Sequence, residues 1–259
     1  MKVRKVLMAI DLKKVATEYS KQYPKIAEEK SRRIKGAKIA SILKHVLGGQ
    51  AVESIVDVGA SGCIPLEEVV KVLKPVVAIG VDLDEAYMPK SSDLLKPVIS
   101  DATILPFQDE SVDVLVCNHV YEHVNDSEVL MEELWRVLKP NGLVYFGAMN
   151  ARWPIEPHYN IPMLHWMPSG LAEFFVRRKG YDHGYLEKPF STPRLEMLVK
   201  DFELIDYTVP VIERPEHFGA GDIINSKWLS LSLRKKIAQW FYGWLPSYLW
   251  ILRKPSVKR

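Results

Sequence analysis

Residues 54–62 read Ser-Ile-Val-Asp-Val-Gly-Ala-Ser-Gly, and this stretch decides the predicted fold. The apolar run Ser54–Val58 predicts a buried strand that ends in a glycine turn and opens a helix over 65–73. Gly59 and Gly62 let the backbone bend and approach a ligand because they carry no Cβ atom. Such a turn can serve chain geometry alone, but it is also typical of nucleotide-binding sites.

A second apolar run, Val76–Val81, ends at Asp82. Asp82 lies twenty residues after Gly62, the spacing at which a carboxylate can hydrogen-bond both hydroxyls of a ribose. A dinucleotide is disfavoured because pyrophosphate binding uses Gly-x-Gly-x-x-Gly/Ala, and Ser61 and Ile64 stand at its second and third places. A branched Ile64 would crowd a pyrophosphate, so a nicotinamide-dependent dehydrogenase is improbable.

The order of predicted elements indicates an α/β fold with a doubly wound, mostly parallel sheet. Strands and helices alternate along the chain: helix Pro24–Val46, strands at 54–58, 76–81, 97–100, 112–117 and 142–149, and helices near 65–73, 85–89 and 126–138. In such folds the ligand crevice lies at the carboxyl ends of the strands. Gly59, Asp82, Asp101 and Asn118 are all predicted at such ends.

Three further segments carry a family resemblance. They read Val98-Ile-Ser-Asp101-Ala-Thr-Ile-Leu-Pro-Phe107, Ser111-Val-Asp-Val-Leu-Val-Cys-Asn-His-Val-Tyr-Glu-His123 and Leu134-Trp-Arg-Val-Leu-Lys-Pro-Asn-Gly-Leu-Val-Tyr-Phe146. In order and spacing they resemble the class I S-adenosylmethionine-dependent methyltransferases of type 11, over roughly residues 50–150. The resemblance implies a Rossmann-like sheet of seven strands and S-adenosylmethionine as the cofactor.

The resemblance also implies which residues meet the cofactor. By position these are Asp57 and Gly59 at the methionine end, with Ser61 and Gly62 in the same turn; Asp82 and Leu83 at the ribose; Asp101 and Ala102 at the adenine; and Asn118 and His119 on the floor near the sulfonium.

The first turn departs from the family pattern. The family usually has Asp-x-Gly-x-Gly-x-Gly, and this chain has Asp57-Val-Gly59-Ala-Ser61-Gly62-Cys63. Serine and cysteine are small enough to preserve the turn if their φ angles stay negative. An alternative from another class is a protein that binds the cofactor without catalysis, as a regulator or an assembly partner.

Composition favours a cytoplasmic enzyme. The chain has 259 residues, of which 47% are hydrophobic, and this is enough for a substantial core. The two cysteines, Cys63 and Cys117, are too few for a disulfide framework or a zinc site, and no ligand spacing suggests a metal. Near the start, Val6–Ile10 is too short for a signal-peptide core.

We divide the single predicted domain, 1–259, into four parts. These are an N-terminal helical cap at 1–50, the cofactor-binding core at 51–149, a lid and acceptor insertion at 150–190, and the last helix and strands at 191–259. The insertion is rich in Pro, His, Trp and Tyr, and a long irregular loop inside a compact domain usually has a function. The alternative is a surface excursion whose aromatic residues pack on the sheet.

Within the insertion, His158 is the candidate general base. Methyl transfer from a sulfonium to oxygen is an in-line displacement in which a base removes the hydroxyl proton, and imidazole titrates in the right range. Glu156 is a second candidate base or a hydrogen-bond partner for sugar hydroxyls. His119, His123 and His165 compete for the role, and His123 fits a structural histidine better. His158 can equally cap a loop.

The carboxyl-terminal tail is basic and aromatic. From Ile223 to Arg259 there are eight basic and no acidic residues, so the rest of the chain carries −5 within a total of +3. Four of the seven tryptophans lie there, a composition typical of an anionic membrane interface. Alternatively, the last strand of the sheet is Tyr248–Arg253 and the helix before it is Leu233–Gly243, so that the aromatic residues belong to the core. This interpretation and the membrane interpretation are compatible. A membrane-spanning helix is disfavoured, and nucleic acid is not expected as a partner.

A second, weaker resemblance concerns the acceptor. Trp153–Tyr159 and Pro246–Lys254 look like segments of methyltransferases of surface polysaccharide and lipid-linked glycan synthesis. This implies O-methylation of a sugar or lipid-linked glycan by a protein peripheral to the inner face of the membrane. A quinone or other lipid-like small molecule is the alternative acceptor, and a homodimer stays open. The quinone reading is motivated by apolar residues of the insertion: Ile155, Ile161, Met163, Leu164 and Trp166.

Overall fold

The structure is a computed structural model, and it describes residues 28–85, 88–89, 91–92, 95–181, 184–221 and 230–256. The predicted helix Pro24–Val46 is present as Glu29–Leu47, and its first residues lie outside the described part of the chain. Of the predicted helix 85–89, residues 86 and 87 lie outside the described part, and the described residues 88 and 89 are not helical.

A central sheet of seven strands organises the molecule, in the order β3-β2-β1-β4-β5-β9-β8. The first five strands of that order are parallel, and β9 pairs antiparallel with both β5 and β8. The predicted doubly wound, mostly parallel sheet is confirmed. The strands are β1 Ser54–Val58, β2 Val77–Asp82, β3 Leu95–Ile99, β4 Val112–Asn118, β5 Leu138–Met149, β6 Ile155–Glu156, β7 Ile161–Pro162, β8 Glu203–Asp206 and β9 Ser247–Arg253.

Local sequence explains where the helices begin and end. Pro65 lies in the first turn of α2, and Asp126 accepts the amides of Glu128 and Val129 to cap α3. No described helix is long and apolar enough to cross a membrane. The helices are α1 Glu29–Leu47, α2 Ile64–Leu73, α3 Ser127–Val137, α4 Ser169–Arg178, α5 Thr192–Leu198, α6 Thr208–Glu213 and α7 Leu231–Trp240.

Both faces of the sheet are buried. Adjacent residues of β1 point to opposite faces, so Ile55 packs with α1 and α2 while Val56 packs with α3 and α5. This arrangement explains why the strands read as continuous apolar runs rather than as alternating ones. The carboxyl ends of β1, β2, β3 and β4 meet at one edge of the sheet.

The carboxyl-terminal tail divides into core and surface. Strand β9 lies between β5 and β8, and its Tyr248 and Trp250 are buried, so these aromatic residues do not face a membrane. Lys254 is also buried, and its Nζ donates to the carbonyls of Trp135 and Leu138. Among the described residues of the tail, the exposed aromatic ones are Trp240 at the end of α7, Phe241 directly after it, and Trp244 in the 3-10 turn Tyr242–Trp244.

The insertion after β5 is a small folded unit rather than the irregular loop expected from its sequence. It contains the hairpin β6–β7, the 3-10 turn Leu164–Trp166 and α4. These elements enclose an apolar core of their own, formed by Tyr159, Ile161, Leu164, Ala172 and Val176. Asn150 and Phe190 form a bridge at its base. The aromatic and aliphatic side chains of the insertion bury one another in this core, and that is why regular structure forms here.

Candidate active site

The turn after β1 keeps the left-handed backbone that glycine favours, although two of the family's glycines are replaced. The φ angle is +77° at Gly59 and +81° at Gly62, and it is also positive at Ser61 (+35°) and Cys63 (+59°). The condition that the φ angles of Ser61 and Cys63 stay negative is therefore not met. A residue with a Cβ atom in this region is disfavoured by roughly 1–2 kcal/mol, so other contacts must hold the turn.

The side chain of Cys63 supplies one such contact. It is fully buried against Gly80 of β2, where an added Cβ atom would collide with Cys63 Sγ. Burial raises the pKa of the Cys63 thiol to about 12, so the thiol stays neutral. Cys63 and Gly80 therefore fit each other as a pair.

We expect Gly80→Ala to lower the free energy of unfolding by about 2 kcal/mol, because the new methyl group overlaps the Cys63 sulfur. In a Cys63→Gly background the same change should be much less destabilising, because the sulfur is gone and the nearest remaining atom, Ala60 Cβ, is 3.1 Å from the new Cβ atom. Urea denaturation of the four proteins gives the coupling energy. Additive effects of the two substitutions would contradict the pairing.

Asp82 holds the turn from the other side. Its Oδ2 accepts the Ser61 amide at 2.7 Å, and its Oδ1 accepts the Asp84 amide at 2.8 Å. A carboxylate has about four lone-pair sites, so Asp82 keeps acceptor capacity for a ligand at the sheet edge. Burial raises the pKa of Asp82, and the backbone hydrogen bonds oppose that shift. Leu83 follows directly and is partly buried.

Asp57 is a second carboxyl group at this edge. It is buried at the carboxyl end of β1, and burial raises its pKa to about 7. The charge of Arg32 on α1 opposes that shift, and the charge of Asp82 adds to it. The Arg32 guanidinium also donates to the Ala60 carbonyl at 3.1 Å. Sequence reasoning missed Arg32, because nothing in the helix marks it as a residue that reaches the turn.

The candidate adenine residues follow β3. Asp101 Oδ1 accepts the amide and the hydroxyl of Thr103 at 2.9 and 2.7 Å. The Ser100 amide donates to the Asp82 carbonyl at 3.1 Å, so this turn is attached to the end of β2. Asp101 and Ala102 are each partly buried, at the same edge as Asp82.

The loop after β4 contributes Asn118 and His119. The Asn118 carboxamide lies against Gly147 of β5, where any Cβ atom would collide with Asn118 Oδ1. His119 has a φ angle of +59°, and its amide donates to the Gly147 carbonyl at 2.8 Å. Its Nδ1 lies 3.1 Å from Oε1 of the fully buried Glu122. His119 and Glu122 thus form an imidazole–carboxylate pair.

A second imidazole–carboxylate pair lies in the insertion. His158 Nδ1 is 2.7 Å from Oε1 of the fully buried Glu156, whose Oε2 accepts the Tyr159 amide at 2.6 Å. Burial would lower the pKa of His158, but the hydrogen bond to Glu156 and the charge of Glu187 outweigh it and raise that pKa.

The two pairs belong to one buried cluster. The His123 ring, next to Glu122 in the chain, meets the His158 ring edge-on at a centroid distance of 5.1 Å. Burial lowers the pKa of His123 to about 4, so this ring is neutral near pH 7, in keeping with a structural histidine. The insertion therefore packs on the loop after β4, and the base candidates lie next to the edge that carries the cofactor candidates.

Sequence reasoning identified Glu156 but missed two other acidic residues of this cluster, Glu122 and Glu187. Burial opposes ionisation of Glu122, but the hydrogen bond and charge of His119 hold its pKa below the usual value. Burial raises the pKa of Glu187, and the charge of His158 opposes that shift. Glu122 stands next to His123 and could have been found. Glu187 has no signal in the sequence.

The remaining candidates lie apart from this cluster or serve packing. His165 Nδ1 is 2.6 Å from the Tyr185 hydroxyl, and burial lowers the pKa of His165. Ile161 and Leu164 are buried in the core of the insertion and cannot line a pocket. Within the described residues, no group of His, Cys, Asp and Glu has the geometry to hold a metal ion.

Comparison with known proteins accounts for this arrangement. Residues 56–146 match the model of the methyltransferase domain family, and this range includes every cofactor candidate but neither Glu156 nor His158. This segment is a class I methyltransferase domain. The fold agrees: a chain in the complex between the Haloferax volcanii Trm112 methyltransferase activator and a methyltransferase superimposes with a TM-score of 0.58 at 15% identity, covering 95% of this chain and 99% of that one.

The names of curated relatives of the methyltransferase domain give different substrates. Malonyl-acyl-carrier-protein O-methyltransferase 1 of Coxiella burnetii is 30% identical over 104 residues, 40% of this chain and 36% of the relative. The ubiquinone/menaquinone biosynthesis C-methyltransferase UbiE of Xylella fastidiosa is 29% identical over 144 residues, 54% of this chain and 49% of the relative. The chain thus spans half or less of the length of either relative.

Proposed function

We propose that this protein transfers a methyl group from S-adenosylmethionine to a hydroxyl group of a sugar or lipid-linked glycan. The observation that carries the proposal is the Asp82 carboxylate, fixed by two backbone amides at the sheet edge inside the methyltransferase domain. A buried pair, Glu156 and His158, lies beside that edge and suits removal of a hydroxyl proton.

The residues at the edge fit the cofactor. Gly59 is the residue that this turn requires, because its φ angle is +77° and an added Cβ atom would lie 2.6 Å from Val120 Cγ2. Asp82 keeps acceptor capacity for a ribose hydroxyl. Asp57 is suited to a cationic ligand, because a positive charge nearby would offset the burial that raises its pKa to about 7. The two substituted glycines therefore do not remove the polar groups of the site.

The chain's own residues would orient the reactants and remove one proton. Bound S-adenosylmethionine supplies an electrophilic methyl group on a positively charged sulfur. Glu156 accepts a hydrogen bond from His158 Nδ1, so the basic nitrogen of that imidazole is Nε2. Because the cluster is buried, its charges act at low dielectric and hold His158 in one orientation. His158 then takes the proton of the acceptor hydroxyl as the new carbon–oxygen bond forms.

A quinone or another lipid-like small molecule is a second candidate acceptor. Two observations favour it: ubiquinone appears in the names of curated relatives, and Ile155, Met163 and Trp166 of the insertion are exposed apolar residues. The family match ends at residue 146, before the insertion, so it does not by itself favour one acceptor over the other.

Calorimetric titration with S-adenosylmethionine and S-adenosylhomocysteine tests the cofactor. We expect both to bind the wild type, and Asp82→Asn to lower the affinity by about ten- to one-hundredfold, because a charged hydrogen-bond acceptor is lost. Asp113→Asn is the matched control: Asp113 also accepts a serine amide, that of Ser54 at 2.8 Å, but at the opposite edge of the sheet. The proposal fails if the wild type binds neither ligand.

Acceptor screening by release of S-adenosylhomocysteine then separates the candidates. Turnover with hydroxylated glycans or their lipid-linked forms supports the proposal, and turnover only with quinols supports the second candidate. Binding without turnover on any acceptor would favour a regulator or an assembly partner.

A further inference from the structure

Helix α7 turns its apolar side to solvent. Arg234 and Ala238, four residues apart, are 8% and 2% exposed, whereas Leu233, Ile237 and Trp240 are 44%, 42% and 89% exposed. A surface helix of a globular domain normally buries its apolar stripe and exposes its charges. This helix instead exposes its large apolar residues and buries Arg234, so its outer side is suited to a surface other than water.

The apolar stripe continues beyond the helix. Phe241 and Trp244 are 55% and 50% exposed and follow Leu233, Ile237 and Trp240 at helical spacing. The Trp244 ring meets the ring of Trp166 edge-on at a centroid distance of 6.2 Å, and Trp166 is 48% exposed. We call these six residues the tryptophan face. It joins the last helix to the insertion in one exposed aromatic surface.

We propose that the tryptophan face docks on the surface of an anionic lipid bilayer. Indole rings are both apolar and hydrogen-bonding, and they favour the boundary between lipid and water. Lys235 and Lys236 are exposed on the same helix, and no acidic residue occurs from Ile223 to Arg259. Positive charge beside an apolar aromatic stripe is complementary to anionic headgroups.

A second copy of the chain is a poorer occupant. A symmetric contact through α7 would bring the Lys235 and Lys236 side chains of two copies close together, with like charges opposed. The nearest acidic group described is Glu213 of α6, whose Oε2 lies 3.6 Å from Lys235 Nζ. The two Glu213 carboxylates of such a pair cannot neutralise its four ammonium groups.

Docking would also orient the candidate active site. Trp166 belongs to the insertion, and its indole N–H donates to the Ala151 carbonyl at 2.8 Å, next to the end of β5. The proposed acceptor site would then open near the lipid headgroups, where a lipid-linked acceptor is found. The membrane proposal does not depend on that chemistry, because binding to vesicles is measured without cofactor or acceptor.

Co-sedimentation of the full chain with vesicles tests this proposal. The vesicles are phosphatidylcholine alone and phosphatidylcholine with phosphatidylglycerol, each at low and high salt. We expect binding to the anionic vesicles at low salt and much less at high salt. Trp240→Ser and Lys236→Glu should each lower the partition coefficient by about tenfold or more. Matched controls change equally exposed residues elsewhere, Val76→Ser and Lys200→Glu, and should bind as the wild type does.

Three outcomes would overturn the proposal. One is that the wild type stays in the supernatant with anionic vesicles at low salt. Another is that Trp240→Ser binds as tightly as the wild type. The third is that analytical ultracentrifugation finds a dimer which Trp240→Ser dissociates, without vesicle binding by either protein, and this result would assign the tryptophan face to a second copy.

Discussion

Glu156→Gln is expected to lower kcat for methyl transfer by about 10²- to 10³-fold, while the affinity for S-adenosylmethionine stays close to that of the wild type. The substitution keeps the shape of the side chain but removes the charge that accepts from His158 Nδ1 at 2.7 Å. His158 then loses both the fixed tautomer and the partner that stabilises its protonated form. Single-turnover kinetics with a working acceptor measure the loss.

The pH profile gives a second measure of the same prediction. A histidine base works only when neutral, so the rate falls as pH decreases through the pKa of His158, which Glu156 raises. Without the Glu156 charge that pKa drops, so the acid limb of the profile should move to lower pH as the maximum rate falls. A purely structural Glu156 would lower the rate without moving the limb.

Glu122→Gln is the matched control, because Glu122 is equally buried and holds His119 as Glu156 holds His158. If His158 is the base, Glu156→Gln should cause the larger loss of kcat and should displace the acid limb of the pH profile. If Glu122→Gln causes both effects instead, the more exposed His119 is the base and the assignment to His158 is wrong.

The sheet could be predicted from the sequence because its strands are buried on both faces. Continuous apolar runs place β1, β2 and β4 to within one residue at either end. The start of β5 was missed: it begins at Leu138, directly after α3, although Lys139 and Asn141 within it read as a turn. Pairing of Leu138 with Val112 across an irregular register extends the strand, and no local pattern encodes it.

The residues of the candidate site could likewise be predicted only in part. Residues at strand ends, such as Asp57 and Asp82, follow from the sheet and lie at one edge. Arg32 and Glu187 reach the site from distant parts of the chain, and only tertiary packing brings them there. The positive φ angle of Cys63 could not be predicted from the turn alone for the same reason. Its side chain fits only because Gly80, on another strand, has no Cβ atom.

The basic tail shows that the charge pattern of a sequence does not reveal which charged side chains are exposed. Its lysines and arginines looked alike in the sequence, yet Lys236 is exposed whereas Lys254 is 5% exposed. Lys254 Nζ donates to the carbonyls of Leu138 and Trp135 at 2.8 and 3.0 Å and pairs with Glu110 at 3.0 Å. Lys254 therefore ties the end of β9 to the junction of α3 and β5.

Lys254→Met is accordingly expected to lower the free energy of unfolding by about 3 kcal/mol, because two buried carbonyl groups lose a charged donor. At roughly 2–4 °C per kcal/mol for a chain of this size, the melting temperature should fall by about 6–12 °C. The backbone of Lys254 still pairs with Asn141 and Gly142, so the substitution reports on the side chain alone. The control Lys236→Met removes the same charge from an exposed position and should change stability by no more than about 0.5 kcal/mol. Equal effects of the two substitutions in urea denaturation would mean that net charge, rather than the buried hydrogen bonds, determines how the tail contributes to stability.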